Sequence, residues 1–170
     1  MANESMGLPA SHVYGISAHF TLTKKKEMNI EEVRDYCLSL PFAVERSPFG
    51  ADTLAMEIGG RMFCLMTLDG QWNFYNLKVN PDFGIELCDK YAGIRPGYHM
   101  NKRHWISVDF QGDVPDRLQE DLIYHSYCQT ARQLPKKVQA QLGITELPLH
   151  LRLTAQPQYL GVYLYLGESV

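Results

Sequence analysis

Paired cysteines are the first thing missing. The 170 residues hold four cysteines, Cys37, Cys64, Cys88 and Cys128, and no CxxC pair. That excludes a cysteine-clamped zinc site and a thioredoxin-like redox couple. The scattered thiols read as reduced side chains, several of them buried, in a cytoplasmic protein. No apolar run approaches the roughly 20 residues that a membrane span needs. The opening "MANESMGLPASHVYG" has no basic segment followed by an apolar one, so no secretory signal is expected. An excess of positive charge is missing too: 16 Lys and Arg stand against 19 Asp and Glu, a net charge of −3. That argues against a histone-like polyanion binder, although it leaves room for one local basic face. There is no G-x-S-x-G, no glycine-rich phosphate loop and no H-x-E joined to C-x-x-C. Catalysis is therefore not expected, and no pattern asks for a metal or another cofactor. What is present is ordinary globular composition, 45% apolar and 21% charged, in a length that suits one domain with a core.

The chain then divides by local signals. Residues 1–27 read as an arm, with Ile16, Ala18, Phe20 and Leu22 alternating as on a half-buried strand. Asn29 and Glu32 form a capping box for a first helix, whose buried stripe is Ile30, Val33, Tyr36/Cys37 and Leu40, and Pro41 ends it. "AVERSPFG" suits a short edge strand. "TLAMEI" and "RMFCLMT" flank a Gly59-Gly60 turn, and a second hairpin is expected around Asp69-Gly70. Such short turns imply antiparallel pairing. Asn80 caps a second helix with Pro81 at its first position and Asp82 at its positive end. After a turn at Pro96-Gly97, "HWISVDF" reads as a strand. Pro115 opens the longest helix, Leu134-Pro135 interrupts it, and Gly143 stops its continuation. In residues 143–170, Leu147, Leu149, Leu151 and Leu153 alternate ahead of "YLGVYLYLG", which predicts a hairpin.

One stretch concentrates charge and rings: "IRPGYHMNKRHWISVDF", residues 94–110. Lys90, Arg95, Lys102 and Arg103 could form a phosphate-binding face, because each cation that meets a phosphate releases condensed counterions. They could equally be solvated loop charges. Tyr98, Asn101 and His104 could add contacts around them. Five residues apart, His99 and His104 would fall on opposite faces of a continuous strand, so shared metal ligation is not expected unless the loop bends. On the following strand, Ile106, Val108 and Phe110 share one face and look like core; Trp105, Ser107 and Asp109 share the other. The stability gained by burying an indole favours a packed Trp105 over an exposed stacking platform.

Residues 28–142 resemble the MmcQ/YjbR family. The matching pieces are "LPFAVERSPFG", "GGRMFCLM", "GIRPGYHMNKRHWISV" and the "VPD…SY…LPKK" helix. The resemblance implies an α+β fold like that of frataxin and CyaY, an antiparallel β-sheet with helices packed on one face. Residues 1–27 and 143–170 would be added to that core as an arm and a C-terminal β-hairpin. It also implies DNA binding through paired hairpin wings around a helix, and attaches no catalytic activity. Gly59-Gly60 and Asp69-Gly70 are then the candidate wing tips, with Arg61 beside the first. The expected nucleic-acid contacts are Arg61, Lys90, Arg95, Tyr98, Asn101, Lys102, Arg103 and His104. Frataxin-like proteins bind iron on an acidic helix edge, but Glu31, Glu32 and Asp35 are sparse, and the helix dipole already accounts for an acidic first turn. The alternative to DNA binding is a protein-interaction or small-ligand-binding module, with the terminal strands able to pair across a homodimer.

Overall fold

The computed structural model of the protein describes residues 28–144. The elements run α1 (Ile30–Ser39), β1 (Ala43–Arg46), β2 (Thr53–Ile58), β3 (Arg61–Thr67), β4 (Phe74–Lys78), α2 (Pro81–Lys90), β5 (Ile94–Pro96), β6 (Trp105–Asp109), α3 (Asp116–Arg132) and α4 (Lys136–Gln141). The strands form one antiparallel sheet of six, in the order β1-β2-β3-β4-β6-β5. The arm strand, the C-terminal hairpin and any pairing of the two across a dimer lie outside the described residues.

Local chemistry sets the helix starts. The Asn29 side chain accepts from the Glu31 and Glu32 N–H groups, and the Asn29 N–H donates to Glu32, completing the capping box. Asn80 accepts from the Asp82 and Phe83 N–H groups ahead of Pro81. At the β2–β3 turn, Gly59 and Gly60 both take positive φ, 55° and 76°, as a tight two-residue hairpin requires. A Cβ on Gly59 would also stand 2.9 Å from the Leu134 methyls, so the turn sits against the α3–α4 junction.

Helices cover one face of the sheet. Met56, Cys64, Met66, Tyr75, Leu77, Ile106 and Val108 share a core with Val33 and Cys37 of α1, Phe83 and Leu87 of α2, and Leu118, Leu122, Ile123 and Tyr127 of α3. Each such aliphatic side chain contributes about 1.5–3 kcal/mol when fully buried. The pairing of β2 with β3 slips between Met56 and Glu57, leaving Phe63 as an extra residue in β3. Its carbonyl accepts from Ser126 Oγ at 2.6 Å, and that oxygen accepts the Lys78 N–H at 2.7 Å. Gln119, two turns earlier, accepts from the Tyr75 hydroxyl. So α3 runs along β4 from Tyr75 toward Lys78.

The other face carries Leu65, Phe74, Asn76, Trp105 and Ser107, all buried. The chain between β5 and β6 folds back over it. Gly97 N–H donates to Trp105 O, Tyr98 N–H to Ser107 Oγ, and Asn76 Nδ2 to Tyr98 O. Gly97 is required there, since a Cβ would lie 2.7 Å from Trp105 Cβ. The strand expected over His104–Phe110 appears as β6, and neither histidine lies in it. Residues 97–104 form a loop in which His99 takes φ of 55°, and β5 is a three-residue edge strand that periodicity did not reveal. No described helix is long and apolar enough to cross a membrane.

Candidate nucleic-acid interface

Antiparallel pairing brings several element ends together. The start of β3 lies beside the end of β2, the end of β4 faces the start of β6 through Lys78 and Trp105, and α3 finishes over the same edge. The sequence puts cations at most of them. Arg61 opens β3, Lys78 closes β4, Lys102 and Arg103 precede β6, Arg132 ends α3, and Lys136 and Lys137 open α4. All are exposed except Lys78, which is half-buried. None of these seven makes an ion pair among the described residues. The paired cations are Arg34 with Glu45 and Asp35, Arg46 with Glu57, Arg95 with Asp109, and Arg117 with Glu120 and Asp121. The negative end of the α3 dipole favours cations here and accounts for part of the clustering. Burial, and then repulsion from Arg61, pushes the Lys78 ammonium below the usual lysine range.

The loop before β6 separates two concavities. Asn101 Oδ1 accepts the Arg103 N–H, Asn101 O accepts the His104 N–H, and His104 O accepts the Val79 N–H, which fixes the loop against the end of β4. On the α3 side, Asn101 and His104 join Lys78, Trp105, Gln129 and Gln133 around a cavity of about 290 Å³. Among the described residues no carboxylate lines it. The Lys78 ammonium stands 5.7 Å from the Trp105 ring centre, and Gln129 Oε1 is buried without a hydrogen-bond partner among those residues. On the α2 side, Lys102 and Arg103 line a groove of about 560 Å³ whose opposite wall carries Asp82 and Asp89. Its floor is apolar, with Val79, Pro81, Pro96 and Ile106, and exposed Ile85 at its rim.

Of the eight residues expected to touch nucleic acid, five meet at this end: Arg61, Asn101, Lys102, Arg103 and His104. Three do not. Lys90 closes α2, which starts beside Lys78 and leads away from it. The next residues, Ala92 and Gly93, bond to Asp113 ahead of α3, so Lys90 sits at the far end, 5.4 Å over the Tyr91 ring. Arg95 is held by Asp109 across the β5–β6 pair and lies 4.4 Å over Phe74, so its charge is met within the sheet. Tyr98 belongs to an aromatic group on the second face. It meets Trp72 and Phe74 edge-on at 5.5 and 5.7 Å, and His99 at 4.1 Å. The proposed wing tips also part company. Consecutive hairpins sharing β3 turn at opposite ends, so Gly59-Gly60 lies at the cationic end and Gly70 about 20 Å away along a seven-residue strand.

Sequence reasoning missed Lys78, Gln129, Arg132, Gln133, Lys136 and Lys137. The one local signal was Lys136-Lys137 directly after the helix-breaking Pro135; the others become neighbours only through strand order. At the far end, Glu32, Asp35, Asp116 and Glu120 line a notch of about 390 Å³ between α1 and α3. Among the described residues no group of three or more His, Cys, Asp or Glu is arranged to hold a metal ion.

The chain is similar to several known proteins. The family model described as YjbR matches residues 38–129. An uncharacterized protein YbdF of Escherichia coli O157:H7 is 36% identical over 112 residues, covering 66% of this chain and 92% of that protein. Uncharacterized protein YjbR of Escherichia coli K12 is 26% identical over 110 residues, 65% of this chain and 93% of that protein. A crystal structure of a Deinococcus radiodurans protein superposes with a TM-score of 0.67 at 32% identity, over 76% of this chain and 96% of that one. A Pseudomonas syringae protein gives 0.53 at 26% identity, over 61% and 99%.

Proposed function

The chain belongs to the YjbR family, and we propose that it binds DNA weakly, through backbone phosphates, at the end where Arg61, Lys102, Arg103, Arg132, Lys136 and Lys137 gather. One observation carries this reading. These six exposed cations come from separate elements, share one end and have no carboxylate partner among the described residues, whereas four arginines elsewhere are paired. Each phosphate they neutralise releases counterions, which supplies affinity without reading bases. The contacts come from strand starts, a loop and helix ends, so binding is largely independent of sequence. The carboxylates of the opposite end repel DNA and orient the molecule toward it. In this role the protein binds without catalysing a reaction on its ligand.

The test is fluorescence anisotropy with a labelled duplex across a salt series. About four phosphate contacts give a log–log slope of about −3 to −4. Replacing Lys102 and Arg103 with Ala reduces that slope by about 2. Binding that ignores salt, or that survives the double substitution unchanged, contradicts the assignment.

A further inference from the structure

The cavity under the loop differs from the surface around it, and we infer that it receives a terminal phosphate monoester, the phosphorylated end of a nucleic-acid strand or of a mononucleotide. In its strand-end form this rests on the binding surface proposed above. Three observations lead to it.

The first is an unmatched charge. Lys78 is half-buried, stands over Trp105 and has no carboxylate partner among the described residues, while Arg61 adds to the positive field. A partly desolvated cation left alone is unfavourable, and an anion entering the cavity relieves that cost. The second is the set of donors. Asn101 uses Oδ1 to hold Arg103 N–H, leaving its Nδ2 free to donate, and His104 and Gln133 line the same space. The third is the opposite need. Gln129 Oε1 is a buried acceptor with no donor among the described residues. A bare anion cannot satisfy it, but a sugar hydroxyl or base N–H next to a phosphate can.

Shape selects the end of a strand over its middle. The walls come from β4, the 101–104 loop, Trp105 and α3, and about 290 Å³ holds a phosphate with its attached sugar but no duplex. A monoester also carries more negative charge than the diester of a continuous backbone. The exposed Lys and Arg can hold the diesters that follow, while Lys78 takes the terminus.

The experiment compares a short single-stranded oligonucleotide with and without a 5′-phosphate, using the full chain at moderate salt. The phosphorylated strand should bind about tenfold tighter, the size expected for one or two added charge-assisted hydrogen bonds. Lys78→Met should erase the difference between the two strands. Gln129→Glu, nearly the same size, should erase it too by placing a carboxylate beside the phosphate. Equal affinity for the two strands, or a preference that persists in both variants, overturns the inference. If neither strand binds, the proposed DNA surface fails, and a nucleoside monophosphate becomes the probe. Changes in tryptophan fluorescence in the wild type, lost in both variants, then support the cavity for a free mononucleotide. No change with that probe overturns it as well.

Discussion

The two ends of α3 carry the same kind of surface with opposite sign. At its start, Asp116 and Glu120 join Glu32 and Asp35 around a notch between two helices. At its finish, Arg132 joins Arg61, Lys102, Arg103, Lys136 and Lys137, with Lys78 in a cavity that no carboxylate among the described residues lines. Net charge averages these away, which is why −3 for the whole chain describes neither end. The acidic end lies at helix starts and Arg132 at a helix finish, which suits the local backbone dipole, whereas Lys136 and Lys137 open α4 against it. Binding alone can therefore distinguish a functional basic end from a merely compatible one.

Acid gives the largest effect expected. His125 of α3 packs edge-on against Phe83 with neither ring nitrogen bonded among the described residues. Burial, and then the nearby Arg132, lowers its pKa to about 4. In the unfolded chain it titrates near the ordinary 6.5. Between those values the unfolded state binds the extra proton, so stability is full above 6.5 and declines as pH falls toward about 4. The loss amounts to something on the order of 3 kcal/mol. Urea unfolding at a series of pH values reads this, and His125→Leu should flatten the curve over that range.

Removing a tie at each end gives the next contrast. Ser126→Ala leaves Phe63 O and Lys78 N–H without their partner and should cost about 2–3 kcal/mol. Gln119→Ala leaves the Tyr75 hydroxyl unpaired at the acidic half and should cost about 1–3 kcal/mol. Both are read by denaturant midpoints at neutral pH. For binding, Lys102→Glu with Arg103→Glu should weaken duplex affinity about tenfold or more, whereas Lys90→Glu at the far end should change it by less than about twofold. Equal losses from the two would erase the distinction between the ends.

Much of the fold was legible because its signals are local. The Asn29 capping box, the Asn80-Pro81 helix start and the Gly59-Gly60 turn each act within a few residues, and all appear where the sequence put them. The opposite faces of Trp105 and Ile106 follow from strand alternation, and both are buried. The site was half legible. Lys102 and Arg103 announce themselves in a cationic loop. That Arg95 is spoken for depends on Asp109, which reaches it only through the β5–β6 register. Lys78 looks like any strand-end lysine until strand order puts Trp105 and the turn of β2–β3 around it. His99 and His104 stand apart because hydrogen bonds to Ser107 and Asn76 fold the chain back between β5 and β6, a contact that no local signal announces.

The most direct measurement is a map of amide shifts in the nitrogen-labelled protein as single-stranded DNA is added at low salt. The account predicts perturbations at Arg61, at residues 101–104 and from Gln129 to Lys137, with Lys90 and the Glu32–Asp116 notch unmoved. Perturbations centred on Lys90 or spread evenly over both ends, or none at all, would contradict it.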